Sequence, residues 1–405
     1  MMNTTRTTRW SIAAIAAGLA IGSGVTASAP PEGGADLRAW GWASSEAEDT
    51  ALTALLEDYA AASGTTVAFE PQPEYDTTLQ AALVGGDPPD FFYVDSLRLP
   101  DLADAGALMP PPEGLITDPD DIYESLREAF TYDGTWYCPP KDFSTLALVY
   151  NADLLSEAGV DPPTTMEELA AAAEALATDD RAGLSMNLAL DRVGPFLLAN
   201  GGYIVDEDVS EMTLDTEENA ASLQYLADLF QSGAARSAAD LEAGWPGEAL
   251  GQGKAAMVVE GNWIVGFLAD SFPEVNWGVV ELPAGSAGNA TYAFTVCYGV
   301  ATDAPNPDAS WDAVDFLTGP EGAAAWTEAF NVMPARESLR DQWLEGHPDL
   351  EPFLAGAEYA QAWQFAPGFL DVVTEFNSQF EQLVAGDTDV EDLIEAVTEA
   401  GESVL

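Results

Sequence analysis

Two tryptophans, Trp40 and Trp42, close the stretch LRAWGWA, and Ser44, Ser45 and Glu46 follow at once. An indole offers a flat apolar face, while hydroxyl and carboxylate oxygens bond hydroxyl groups. That combination suits holding a molecule with apolar C–H faces and a rim of hydroxyls, rather than breaking a bond in it. In an extended segment the two indoles share a face. Either both lie in a core, or Trp42 faces open space with the polar trio beside it.

Other residues carry similar chemistry. Tyr75 opens a helical run. Asp95 and Ser96 follow the apolar run FFYV, and the carboxyl ends of strands in α/β folds face crevices. Asp95 equally suits the N-cap of the next helix. Lys141, Asp142 and Ser144 stand together, Lys141 being one of two lysines in the chain. Asp142 can bond two hydroxyls while Lys141 orients it, or the two can form a plain salt bridge. Trp245 precedes Pro246 where no core periodicity shows.

Bond-breaking chemistry finds few candidates. The single histidine, His347, sits in GHPDL beside proline and charged residues, which predicts a structural or solvent-facing role. No nucleophile elbow accompanies it. One His and two Cys do not make a usual zinc set. GDTDVEDLIE lacks the glycine that a calcium loop turns on and reads as a helix start. No phosphate-cradling glycine motif is present, and no cofactor or metal is expected. A glycosidase needs only two carboxylates, so residue types alone leave that class open.

The elements that must position these side chains fill a chain of 405 residues, a length suited to two domains. There are 69 acidic and 12 basic residues, a formal net charge of −57. Such a surface repels nucleic acid and anionic lipid, and it disfavours an anionic ligand unless cations gather locally. The acidity fits a high-salt habitat where counterions screen self-repulsion, or a general acidic bias of composition. At the N-terminus, Arg6 and Arg9 precede the apolar run IAAIAAGLAI and the small-residue site Ala27-Ser28-Ala29. This predicts a signal peptide over 1–29, its apolar run too short to span a bilayer, and a mature protein that is exported and water-soluble. No Cys follows the apolar run to accept a lipid. Cys138 and Cys297 both fall in the mature part.

Strand patterns (LRAWGWA, TTVAFEP, PDFFYVDS) alternate with helical runs (DTALTALLEDYAAASG, YDTTLQAALVGG, LRLPDLADAGALMP), which predicts parallel α/β layers. The third helical run is expected to reach Pro110. From Pro139 onward, STLALVYNADLL reads as strand into helix, and TTMEELAAAAEALA as a helix with a Thr165–Glu168 capping box. NLALDRVGPFLLANGG reads as buried strand and helix, TYAFTVCYGVATD as a strand, and the last 95 or so residues as mainly helical.

Five segments, in order, resemble the extracellular solute-binding proteins of ABC importers, the family that includes maltose-binding protein. They are LRAWGWASS, LVGGDPPDFFYVDSLRLPDLADAGALMP, CPPKDFSTLALVYNADLLSEAGVDPPTTMEELAAAAEALA, GQGKAAMVVEGNWIV and FLTGPEGAAAWTEAFNVMPARESL. The resemblance implies an α/β fold of two lobes joined by crossing strands, with a ligand cleft between them. It implies lobe one over 36–138 plus 298–348 and lobe two over 140–296 plus 350–405. It implies capture by lobe closure, delivery to ABC permease subunits, a monomer, and no catalysis. It places Trp263 at the family's cleft tryptophan, flanked by Glu260 and Asn262. Tyr298, Arg336, Trp363 and Phe365 fall in cleft-lining segments, each with a structural role as the alternative; Arg336 can simply pair with acids on its own lobe. It also brings Cys138 and Cys297 side by side at the hinge, which predicts a disulfide. The tryptophans favour a di- or oligosaccharide. The alternatives are an exported carbohydrate-active enzyme, or a receptor for a polyol, glycerol phosphate or peptide.

Overall fold

The computed structural model describes residues 35–43, 46–206, 209–330 and 332–405. The expected signal peptide over 1–29, together with Ser44 and Ser45, lies outside them.

The first strands form a parallel layer. Leu37–Trp42 pairs with Val67–Gln72 on one side and Phe91–Asp95 on the other. The run Phe91–Val94 is wholly buried, as expected of a strand covered on both faces. Helices Glu46–Ser63 and Tyr75–Gly85 cross over between these strands and stop at glycines. Gly64 and Gly86 adopt left-handed φ of 80° and 71°, where a Cβ is unfavourable. The third helix is shorter than its sequence pattern predicts, Leu99–Asp104. The Ala107 N–H turns back to the Leu102 carbonyl through left-handed Gly106. Leu108–Met109 is thereby freed to pair with Val300–Ala301.

Two long strands carry the chain between the halves. Pro140–Asn151 pairs through its first part with Ala293–Cys297 and through its second with Ala255–Gly261 and Trp277–Glu281. Thr291–Ala301 pairs at one end with Phe91–Asp95 and at the other with Ala360–Ala362. The register shifts between Val296 and Cys297, which face Asp142 and Pro140 and leave Lys141 as the extra residue of the partner strand. The first ten residues of Pro140–Asn151 are buried, so this crossing is packed on both faces. Beyond it, Ala182–Ser185 lies parallel to Ala255–Gly261.

Three apolar clusters fill this frame. One gathers residues of 37–138 with Cys297, Tyr298, Trp311, Val314 and Trp326. A second packs Leu146 and Leu148 with the helices of 166–230 and the C-terminal helices. The third lies on the opposite face of the crossing strands and draws from both expected lobes: Tyr123, Phe143 and Ala147 meet Val258, Ile264, Met333, Trp343 and Phe353. The segment 333–348, placed by resemblance with lobe one, therefore contributes Met333, Ala335 and Trp343 to this shared cluster.

Local signals explain the second half well. Thr165 caps Met166–Leu176 by accepting from the Glu168 N–H, and Thr216 caps Glu217–Gln231 by accepting from that of Asn219. The capping box is displaced by one residue, because the Glu168 carboxylate reaches back to Thr164 rather than Thr165. Asp389 caps Val390–Glu402 in the same way, in the stretch that only loosely resembles a calcium loop. Among the described residues no cluster of His, Cys, Asp and Glu is arranged to hold a metal, and no helix is long and apolar enough to cross a membrane.

Candidate functional site

The strand Ala255–Gly261 is buried throughout and delivers Glu260 and Gly261 to its carboxyl end. Helix Trp263–Ser271 begins directly after it. The Asn262 N–H is held by Ser144 Oγ at 2.9 Å, which fixes this turn to the first crossing strand. Trp263 is 41% exposed, unusual for so large an apolar ring. Its placement is nonetheless fixed. Its Nε1–H donates to Glu260 Oε2 at 3.0 Å. The benzene half of the ring lies over Gly261, where a Cβ would come within 2.2 Å of it. The glycine of EGNW is thus demanded by the tryptophan two residues on.

Arg192, on helix Leu190–Ala199, completes the group. Its guanidinium joins Asp191 at 2.8 Å and Glu260 at 3.0 Å, and it lies 5.5 Å from the Trp263 ring centroid. Burial raises the Glu260 carboxyl above its ordinary pKa, opposed by Arg192 and the Trp263 N–H. Phe294, from the second crossing strand, meets Trp263 edge-on at 5.8 Å and Trp363 at 6.2 Å, and Trp363 packs against Tyr292 at 4.9 Å. One aromatic surface therefore runs from Trp263 to the crossing strands.

A second aromatic group lies at the other end of those strands. Trp42 is half-buried against the rings of Tyr75 at 5.6 Å and Tyr93 at 5.1 Å. Behind it sits Lys141, buried, bonded to Glu48 Oε1 at 3.0 Å and Asp142 Oδ2 at 2.8 Å. The ammonium lies 4.8 Å from the Tyr93 ring and 4.5 Å from that of Trp326, whose Nε1–H donates to Asp142 at 2.8 Å. Burial works to lower the Lys141 pKa, but the carboxylates of Asp142 and Glu48 outweigh it and the pKa rises. Cys138 and Cys297, at the same junction, are joined by a disulfide with Cα atoms 5.7 Å apart.

Residues 43–324, most of the chain, match the family described as bacterial extracellular solute-binding protein. The chain belongs to this family. The solute-binding protein is 26% identical over 314 residues to the maltotriose-binding protein of Pyrococcus abyssi, a match covering 74% of this chain and 67% of that one. Its structure is similar to that of the GacH receptor of Streptomyces glaucescens GLA.O, solved without ligand and with acarbose, at TM-score 0.80 and 26% identity over 91% of this chain and 98% of the other. The cyclic alpha-maltosyl-1,6-maltose binding protein of Arthrobacter globiformis gives TM-score 0.79 and 25% identity over the same shares. These likenesses establish the two-lobed α/β fold.

Within this solute-binding protein the expected site residues divide. Trp263, Glu260, Asn262, Ser144 and Trp363 come together in one group, of which Trp263 is the exposed member. Trp42, Tyr75, Lys141 and Asp142 gather in another. Ser96 links the groups, its hydroxyl donating to the Trp363 carbonyl at 2.8 Å. Asp95 closes the turn ahead of the next helix, accepting from the Arg98 N–H at 3.0 Å, while Arg98 and not Asp95 stands at that helix's N-cap. Lys141–Asp142 is a buried ion pair rather than an exposed one. Trp245 is half-buried against Phe267 at 4.8 Å, with no ring contact to Trp263. Glu46 begins its helix.

Three expectations are corrected. Tyr298 lies inside the first core between Phe91 and Tyr93. Phe365 is buried and stacked on Phe369 at 4.6 Å and on Tyr203 at 6.1 Å. Arg336 is 1% exposed and directed at carbonyls of its own surroundings: Thr318 at 2.6 Å, Asp118 at 2.9 Å and Thr117 at 2.8 Å. A guanidinium so buried is closed to a ligand, and it ties its own segment to residues 117–118 and to Thr318. Arg336→Met should lower the unfolding free energy by about 3 kcal/mol, since charge-assisted bonds to buried acceptors are lost together, while ligand affinity stays within about twofold. Paired denaturant and binding titrations check this, and an affinity loss larger than the stability loss would return Arg336 to the site.

Arg192, Glu48, Tyr292 and Phe294 were not legible as site residues. The one available signal for Arg192 was a charged pair, Asp191-Arg192, inside an otherwise apolar stretch.

Proposed function

We propose that this chain is the substrate-binding component of an ABC importer and captures a neutral oligosaccharide of the maltose type without chemical change. The carrying observation is Trp263, a large ring left open to solvent and yet fixed by a hydrogen bond, a cation and an aromatic neighbour. A sugar's C–H face stacks on such a ring, and that contact adds affinity without moving electrons or protons. The relatives are named for maltotriose, acarbose and a cyclic maltosyl-maltose, which supports the ligand class.

Charge supports neutrality of the ligand. Every described Lys and Arg has a carboxylate or carbonyl partner, including Arg192 and Lys141 at the two aromatic groups. A phosphate would have to compete with these partners in a chain of net charge −57. In this reading residues 1–29 direct export, the ligand bridges the lobes at 36–138 plus 298–348 and at 140–296 plus 350–405, and the closed state docks on the permease. The acidic surface suits work in high salt.

Calorimetry with maltotriose, glycerol 3-phosphate and a tripeptide tests the proposal. Maltotriose should bind with a dissociation constant on the order of micromolar or tighter and be recovered intact, while the other two give no heat. Shortened sugar after incubation, or binding of the phosphate alone, would overturn it.

A further inference from the structure

We propose that Arg192 is a positioning residue for the stacking ring: it backs one face of Trp263 and, through Glu260, fixes the ring's rotation, so that only the opposite face is offered to the sugar. The proposal rests on Trp263 being the stacking ring.

Three contacts converge on a small space. Glu260 Oε2 accepts from the Trp263 indole N–H at 3.0 Å and from Arg192 Nη2 at 3.0 Å. The same guanidinium reaches Asp191 through Nη1 at 2.8 Å and lies against the Trp263 and Phe294 rings, 5.5 and 5.7 Å from their centroids. A planar fork serves two carboxylates through two separate nitrogens while its plane lies on a ring. Gly261 holds a further side of the indole against the backbone. The ring is left one open direction.

The cluster is not arranged for stability alone. Arg192 Nε, Glu260 Oε1 and Asp191 Oδ1 are buried and have no hydrogen-bond partner. Burying a guanidinium with two carboxylates is costly unless every polar atom is satisfied, and an apolar filling of equal shape is often at least as stable. What the charged version supplies is direction: a cation on one ring face and a fixed acceptor for the indole N–H. Neither leucine nor methionine at position 192 offers that.

The test uses the full chain labelled with 5-fluorotryptophan, with the Trp263 fluorine line assigned by its loss in Trp263→Phe, and maltotriose as the probe. Arg192→Met should shift or split the Trp263 line and weaken maltotriose binding about tenfold or more, the scale of a desolvated cation–ring contact plus a lost charge-assisted bond. Arg192→Lys should recover part of both. Glu260→Gln keeps the shape of the cluster and removes its charge, so it should move the same line, which serves if Arg192→Met does not fold. A folded Arg192→Met with a lower melting temperature, an unmoved Trp263 line and unchanged affinity would overturn the proposal and leave Arg192 as packing. If the wild-type chain binds no maltotriose, the stacking role of Trp263 falls separately, and the fluorine line alone decides: a shift upholds positioning by Arg192, and an unmoved line overturns it.

Discussion

Replacing Trp263 by alanine should weaken maltotriose binding by about 2–4 kcal/mol, roughly 30- to 1,000-fold, the range of a dominant aromatic contact. The fold should tolerate the change. The ring is 41% exposed and starts a helix, so its removal opens little cavity. Glu260 keeps its bond to Arg192 at 3.0 Å, so no charge is left unpaired. The melting temperature should accordingly move by only a few degrees. Calorimetry and thermal melts on the same preparations check both halves. An affinity within threefold of wild type would remove Trp263 from the site.

The disulfide carries the largest effect on stability. It closes a loop with a sequence separation of 159 residues. Loop-closure entropy for a loop of that length is about 5 kcal/mol. The double variant Cys138→Ala, Cys297→Ala should lose on the order of that amount in denaturant unfolding. Alanine is the right replacement because both sulfurs lie in the first core at 0% exposed, where serine would bury an unpaired hydroxyl. Maltotriose affinity should change little, since neither cysteine belongs to the two aromatic groups. A stability loss below about 1 kcal/mol would mean that the denatured chain already holds these residues together.

How far the sequence could be read depended on where the determining partner lay. The cap at Thr165 involves a residue three positions on and was plain from the chain alone. Gly64 and Gly86 marked helix ends for the same local reason. The helix from Leu99 was overextended because its apolar pattern runs on into a short strand whose partner, Val300–Ala301, is some two hundred residues distant. Lys141 and Asp142 read as a pair, but Glu48, 93 residues away, turns the pair into a buried cage and was invisible. Trp263 was legible through its segment. Tyr298 and Arg336 were placed by segment too, with a structural role as the alternative, because a segment gives a position along the fold and not the direction of a side chain. Both point into the body of the protein.

The extra residue Lys141, set opposite Val296 and Cys297, has a mechanical meaning once the disulfide is placed beside it. A bulge is where a strand bends and twists most readily. Cys297, on one side of that bend, is bolted to Cys138. Residues 291–296, on the other side, carry Tyr292 and Phe294 toward Trp263 and Trp363. The paired crossing strands are thus pinned at one end, beside the irregularity, and bear the aromatic rings at the other. In the proposed reading, a load that a solute places on Trp263 is carried along these paired strands to the pin.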